Sequence, residues 1–418
     1  TAEITINGSV VDKPPRSWQH RIVTRVFHNI EFGRLKIRLN DGSCLKISAP
    51  SPGPTADITF HALTPVLFAL WWKGDIGFAE SYMSGRWDTS DLAQLMYFLS
   101  LNLEALEEHD QRSLPQKWLT SLAHWLNSNT PGGSKRNIAA HYDLGNEFYS
   151  RWLDKSMTYS SALFEDTHDL EEAQYRKYQR ILDRLDAKPG DHILEVGCGW
   201  GGFAEFAARS GYLVTGITLS RQQLDYARKR INTAGLDHRV FLEIMDYRAI
   251  DKQYDHIVSI EMIEAVGQKY WNRYFDTLKQ SLKPGGNIVI QSITIEDGLF
   301  EDYKNNPGGF IQRYIFPGGM LPTSGHLDQH ARKAGLKLVD SHAFGEDYAT
   351  TLAAWHECFN REEVWLEENG YDDYFRRMWR YYLTFCEAGF RDHRIDVVQM
   401  HFRHNGQAGD VTVINPMV

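Results

Sequence analysis

The segment Leu194-Glu-Val-Gly-Cys-Gly-Trp-Gly-Gly202 constrains this chain more than any other. An apolar run, His192-Ile-Leu-Glu-Val196, leads into closely spaced glycines and then into a helical pattern from Phe203 to Ala208. A glycine permits the tight turn and lets backbone approach a ligand closely. The free amides at the start of the following helix suit an anionic group. The flanking sequence repeats the alternation. A helix is predicted over 170–185, with Tyr178, Ile181, Leu182 and Leu185 on one face, stopped by Lys188-Pro-Gly190. Tyr212 to Ile217 reads as a strand, Arg221 to Ala234 as a helix ending at Gly235, and Val240–Ile244, His256–Ile260 and Asn287–Ile293 as further strands. Such alternation predicts an α/β domain with a parallel sheet and helices on both faces. Met378 to Cys386 reads as a late aromatic-rich helix covering that core.

The N-terminal part reads differently. Ile22-Val23, Val26-Phe27 and Leu35 to Leu39 alternate in short runs, and Asn40-Asp-Gly-Ser43 supplies a turn, so strands and a hairpin are expected. Ala49 to Pro54 is a proline-rich break. From Leu63 to Leu101 the pattern is helical, with Leu92, Leu95, Met96 and Leu99 in register and cap residues in Asp88-Thr-Ser-Asp-Leu92. Thr130-Pro-Gly-Gly-Ser-Lys135 is the clearest linker and divides a smaller mixed α+β domain, 1–130, from a larger one, 131–418.

Composition removes several classes. With 418 residues, 24% charged and 42% hydrophobic, the chain is neither disordered, collagen-like nor a coiled coil. Its longest apolar-rich stretch, His61 to Trp72, is far short of the roughly 20 residues of a spanning helix, and no signal-peptide order opens the sequence. Cys44, Cys198, Cys358 and Cys386 form no CxxC and read as reduced thiols of a cytoplasmic protein. A net charge of -9 argues against a general nucleic-acid binder. Residues 1–50 nevertheless hold eight Lys/Arg against four Asp/Glu, +4 in all. That balance suits a solvated segment or a patch meeting anionic lipid, worth up to about 1 kcal/mol per basic residue. Twelve Trp serve either packing or the walls of an apolar substrate site.

The glycine pattern is GxGxG with an acid, Glu195, two positions before Gly197. That form suits S-adenosylmethionine, while a dinucleotide site and a plain strand-to-helix turn are the competing readings. In an open α/β sheet the ligand lies beyond the carboxyl ends of the strands. There stand Gly216-Ile-Thr218 with Gln222-Gln223, whose amides can bond ribose hydroxyls, and Met245-Asp246-Tyr247, where a carboxylate can accept from an adenine amino group or cap a helix. Ile260-Glu-Met-Ile-Glu264 places acids at the reaction edge.

These pieces, with His141-Tyr-Asp-Leu-Gly-Asn146, Met157-Thr-Tyr-Ser160, Tyr314-Ile-Phe-Pro-Gly-Gly319 and Asp347-Tyr348, resemble the cyclopropane-fatty-acyl-phospholipid synthases over about residues 135–405. Gly77-Phe-Ala-Glu-Ser-Tyr-Met-Ser-Gly-Arg-Trp87 is similar to the N-terminal extension of the longer members. The resemblance implies a Rossmann-like, seven-stranded class I methyltransferase domain with helical cover. It implies that Tyr159, Ser160, Gly197 and Gly199 hold the methionine part of S-adenosylmethionine, with Thr218 and Gln223 at the ribose.

Methylating a carbon–carbon double bond leaves a carbocation, which needs a dry pocket, aromatic faces and a base. Trp200, Tyr314, Phe316 and Tyr348 are candidate walls, or core packing. In the family the base is understood to be a bound bicarbonate held by a Cys, a Glu, a His and a Tyr. The Glu matches Glu264 and the Tyr matches Tyr348, but Ser161 stands at the Cys, Gln291 at the His, and Ala265 where a His usually follows the Glu. Gln cannot change charge as His does, so bicarbonate becomes a doubtful ligand and the fate of the cation is in question. The expected catalytic set is Glu264, Tyr348, Ser161 and Gln291; the expected cofactor set is Tyr159, Ser160, Glu195, Gly197, Gly199, Thr218, Gln223, Asp246 and Tyr247.

The functional expectation is methyl transfer from S-adenosylmethionine to an unsaturated fatty acyl chain, in a phospholipid, giving a methylene, methyl-branched or cyclopropane product. The alternatives are a cyclopropane synthase proper, a methyltransferase of a small soluble natural product, and a non-catalytic lipid binder. The expected setting is cytoplasmic and peripheral at the inner membrane, with a second copy of the chain and a reductase as candidate partners.

Overall fold

Residues 18–107, 144–305 and 308–404 are described by the structure, a computed structural model. Contacts divide the chain into two units: Thr1–Asn127 with Glu301–Pro317 and Tyr348–Ile395, and Ser128–Phe300 with Gly318–Asp347 and Asp396–Val418. The linker expected at 130–135 lies outside the described residues, as do His141 to Asp143. The division is therefore not a single cut, because two later stretches pack with the N-terminal one.

The first unit opens with a helix, Trp18–Val26, where short strands were expected. His20, Val23, Phe27 and Ile30 are buried, a spacing of three and four that the isolated apolar pairs conceal. The hairpin forms as expected from β1 (Phe32–Arg38) and β2 (Cys44–Ser48). A third strand, β3 (Ser51–Phe60), starts inside the proline-rich break and pairs in parallel with β1. With β4 (Trp87–Asp88) the sheet order is β2-β1-β3-β4. The expected helical region resolves into Leu63–Lys73, Asp75–Met83 and Leu92–Leu101. Asp91 caps the last, accepting from Gln94 N at 3.0 Å. The late aromatic helix spans Asp373–Arg391 and is a core element of this unit, packed on Leu92–Leu101 and Asp75–Met83. Its Arg377 donates to Trp87 O (2.9 Å) and Asp88 Oδ1 (2.6 Å) and lies over the Tyr82 ring.

The second unit is built on seven strands: β5 (His192–Val196), β6 (Leu213–Thr218), β7 (Val240–Ile244), β8 (Tyr254–Ile260), β9 (Leu282–Ile295), β10 (Leu336–Ala343) and β11 (Ile395–His404). Their order is β10-β11-β9-β8-β5-β6-β7. The run from β9 to β7 is parallel, and β10 pairs with β11 antiparallel. The helices Leu170–Leu185, Gly202–Arg209 and Arg221–Thr233 fall within a residue or two of expectation. Ile181, Leu185, Phe203, Ala207 and Ala227 join Ile193, Val214 and Val258 in one core. Because β5 to β8 run in parallel, Val196, Thr218, Ile244 and Ile260 all end at one edge of the sheet.

Candidate active site

At that edge β5 passes into the glycine loop. Gly197 N and Cys198 N donate to Ile217 O at 2.9 and 3.0 Å, which ties the turn to β6. Gly197 has φ +89°, and a Cβ there would stand 3.0 Å from Met262 Cγ. Gly199 has φ +49°, and a Cβ there would meet nothing within 4 Å. The loop's open side is thus at Gly199. At Gly197 the backbone angle and the Met262 side chain both require glycine. Gly201 and Gly202 serve packing, against Ala227 and against Tyr178 and Ser156.

Glu195 is buried in β5, and its Oε2 has no hydrogen-bond partner. Burial pushes its carboxyl up to about 8, against the opposing charge of Lys177. Thr218 Oγ1 donates to Gln223 Oε1 at 3.0 Å, so these two meet as the motif spacing implied. Asp246 caps the short turn Tyr247–Ala249 and also accepts from Arg248 Nε at 2.7 Å. Burial would raise its carboxyl, but the Arg248 hydrogen bonds and charge bring it below the usual range. Tyr247 is buried, its hydroxyl lacks a partner, and burial raises it to about 12. Tyr159 is half-buried, its ring against Tyr149 and Trp152 at 5.6 and 5.5 Å. Trp200 donates from Nε1 to Asn146 Oδ1 at 2.7 Å. Orphaned buried polar atoms on Glu195 and Tyr247, beside a loop open at Gly199, fit a polar ligand laid across the ends of β5 to β7.

A second cluster lies where β8 and β9 end. Ser161 N and Gln291 Nε2 both donate to Glu261 Oε1, at 2.9 and 2.8 Å. Gln399 Nε2 in turn donates to Gln291 Oε1 at 3.0 Å. The Ser161 hydroxyl is turned to Ala162 O. Glu261 has φ +47°, a left-handed backbone for a non-glycine residue. Such geometry costs on the order of 1–3 kcal/mol and gathers at functional sites. Glu264 Oε1 accepts from Ile293 N (2.6 Å) and Ser292 Oγ (3.1 Å), while its buried Oε2 has no partner. Burial, reinforced by Glu261, pushes the Glu264 carboxyl up to about 8, so it is largely protonated at neutral pH. Ala265 follows in the same short turn, Ile263–Ala265.

Ser161, Gln291 and Glu264 are therefore brought together, with Ser160 beside them. Tyr348 is not part of this unit: its ring stacks on Phe390 at 4.4 Å in the other unit, which also holds Tyr314 and Phe316. Two further residues belong to this cluster, Glu261 and Lys177. Glu261 sat in the acidic run Ile260 to Glu264, but the resemblance drew attention to Glu264 alone. Lys177 is hidden in a helix face: Gln174, Lys177, Tyr178 and Ile181 lie three, one and three residues apart, so a lysine on a buried stripe is the available signal. Its Nζ donates to Ser160 Oγ at 2.7 Å and Gln174 Oε1 at 2.6 Å.

The family model described as mycolic acid cyclopropane synthetase matches residues 131–400. The chain belongs to that family. Among curated relatives of this synthetase-family chain, "Tuberculostearic acid methyltransferase UfaA1" of Mycobacterium tuberculosis is 41% identical over 339 residues, 78% of each chain. "Cyclopropane-fatty-acyl-phospholipid synthase" of Escherichia coli is 36% identical, over 81% of this chain and 85% of the relative. Among solved structures, the mycolic acid cyclopropane synthase CmaA1 complexed with SAH and CTAB superposes with a TM-score of 0.60 at 28% identity, covering 64% of this chain and 98% of that one. The cyclopropane synthase MmaA2 from Mycobacterium tuberculosis gives 0.60 at 30%, with the same coverage. The second unit accordingly has the class I S-adenosylmethionine-dependent methyltransferase fold, and the synthetase-family chain is an enzyme of that type.

Proposed function

We propose that the chain transfers a methyl group from S-adenosylmethionine to the double bond of an unsaturated acyl chain in a phospholipid, giving a methylene or methyl-branched product. Bound S-adenosylmethionine supplies an electrophilic methyl, which the alkene's π electrons take, leaving a neutral thioether and a carbocation on the chain. The loop from Gly197 to Gly202, with Tyr159, Ser160, Thr218, Gln223 and Asp246, holds the cofactor; Glu195 and Tyr247 add buried polar contacts.

One observation carries the product. Ser161 and Gln291 occupy the positions that the resemblance assigns to ligands of bicarbonate, and both donate to the protein's own Glu261. Glu261 takes the role of the anion. Its carboxylate accepts a proton from the new methyl, the C–H electron pair becomes the carbon–carbon double bond of a methylene, and loss from the neighbouring chain carbon gives a methyl-branched alkene instead. Glu264, largely protonated, is not a second base. Ring closure, the alternative, is favoured by the names of several relatives, while the relative sharing 41% identity is named a methyltransferase. Proton NMR of the purified lipid product tests the reading. Olefinic methylene or branched-alkene signals support it, and upfield ring protons as the sole product overturn it.

The substrate's bilayer is met by the first unit. No described helix is long and apolar enough to cross a membrane. The helix Leu63–Lys73 instead exposes Phe68 (62%), Trp71 (66%) and Trp72 (51%), a face suited to lying in the lipid interface.

A further inference from the structure

Lys177 is fully buried within the core of the second unit, on the face of Leu170–Leu185 that otherwise presents Tyr178, Ile181 and Leu182. An apolar side chain would fill that place more cheaply, since a buried ammonium must be offset by charge and hydrogen bonds. The offset is specific. Nζ grips Ser160 Oγ, and Gln174, which also bonds Nζ, donates from Nε2 to Ser160 O at 2.9 Å. Ser160 is thus held at both its hydroxyl and its carbonyl, and the next residue, Ser161, donates to Glu261. Three acidic side chains, Glu261, Asp154 and Glu195, act on the ammonium. Burial pulls it down while they hold it up, which places the cation in the field of both the cofactor strand and the reaction edge.

We infer that Lys177 is the positioning cation of this site: it fixes Ser160, and through Ser161 the proton acceptor Glu261, and supplies the positive charge against which that carboxylate works. The inference rests on the assignment of Glu261 made above. Without the ammonium, Ser160 and, through Ser161, the Glu261 carboxylate lose their positioning and a neighbouring positive charge, and proton removal slows while methyl delivery stays intact.

Two replacements separate its functions. Lys177→Gln keeps a donor toward Ser160 without charge, and Lys177→Met removes both while matching volume. Each is compared with the wild type on vesicles of an oleoyl phosphatidylglycerol, using S-adenosylmethionine and its methyl-d3 form. Expected results are S-adenosylhomocysteine affinity by calorimetry unchanged in Lys177→Gln, which keeps the donor to Ser160, and weakened in Lys177→Met, a kcat lowered roughly 10²-fold in both variants, in the range set by acid–base groups, and an enlarged methyl-d3 isotope effect. Combining Lys177→Gln with Glu261→Gln should cost little beyond either alone, because both act on one proton transfer. A Lys177→Gln enzyme with wild-type kcat, a lowered kcat without the isotope effect, cofactor affinity lost in Lys177→Gln, or additive losses in the double variant each overturn the inference. The product's NMR spectrum is read on the same samples. A ring product would defeat the proposed product while the kcat and isotope results still judge Lys177.

Discussion

Replacing Glu261 with Gln is the sharpest perturbation of the site. Glutamine has nearly the same shape, and its amide oxygen can keep accepting from Ser161 N and Gln291 Nε2, the two bonds at 2.9 and 2.8 Å. The left-handed backbone at this position is unchanged by the substitution, so the fold and the cofactor loop stay intact. What is lost is a group able to take a proton. General-base groups contribute typically 10²–10⁴-fold, which at 1.36 kcal/mol per tenfold is about 3–5 kcal/mol of barrier. We therefore expect kcat to fall by about that factor, with S-adenosylhomocysteine affinity unchanged. The assay is continuous release of S-adenosylhomocysteine on unsaturated phospholipid vesicles, beside calorimetry of the ligand. Added bicarbonate should not raise the wild-type rate. A Glu261→Gln enzyme with near-wild-type kcat, or a wild type that requires bicarbonate, would refute the assignment.

Three further outcomes follow from named contacts. Gly199→Ala should melt only slightly lower, since the left-handed backbone costs roughly 1–2 kcal/mol, yet calorimetry should show weakened cofactor binding because the methyl enters the loop's open side. Glu264 binds its proton more tightly folded than unfolded, its carboxyl lying at about 8 against 4.5, so its contribution to stability is full below 4.5 and lost as pH rises through about 8. Thermal melts of Glu264→Gln should lose that part of the decline with pH, and an unchanged profile counts against the assignment. Trp71→Ala, at a side chain 66% exposed, should leave stability within about 0.5 kcal/mol while reducing flotation with anionic liposomes; undiminished flotation removes this helix from the membrane contact.

The sequence by itself determined the α/β unit and its ligand edge. The alternation from Leu170 to Ile293 has the two periods of helix and buried strand, and the run Glu195 to Gly202 marks a tight strand-to-helix turn. Those signals are local: each lies within one element and its loop. Thr218 with Gln223 was legible for the same reason, since five residues separate them across one strand-to-helix turn. Short apolar pairs such as Ile22-Val23 carried no period, so the first helix was missed. Tertiary structure decided the rest. Ser161, Glu261, Gln291 and Gln399 span 239 positions of chain, and only the sheet order β11-β9-β8 brings them into one hydrogen-bonded row. The gathering of Glu301–Pro317 and Tyr348–Ile395 with the N-terminal segment likewise leaves no mark in the sequence, because it depends on which faces helices bury and not on their periodicity. A buried lysine reads as a solvated charge until its surroundings are known. Burial sets whether a polar group is a surface detail or a charge that its neighbours must offset, and burial is a property of the fold.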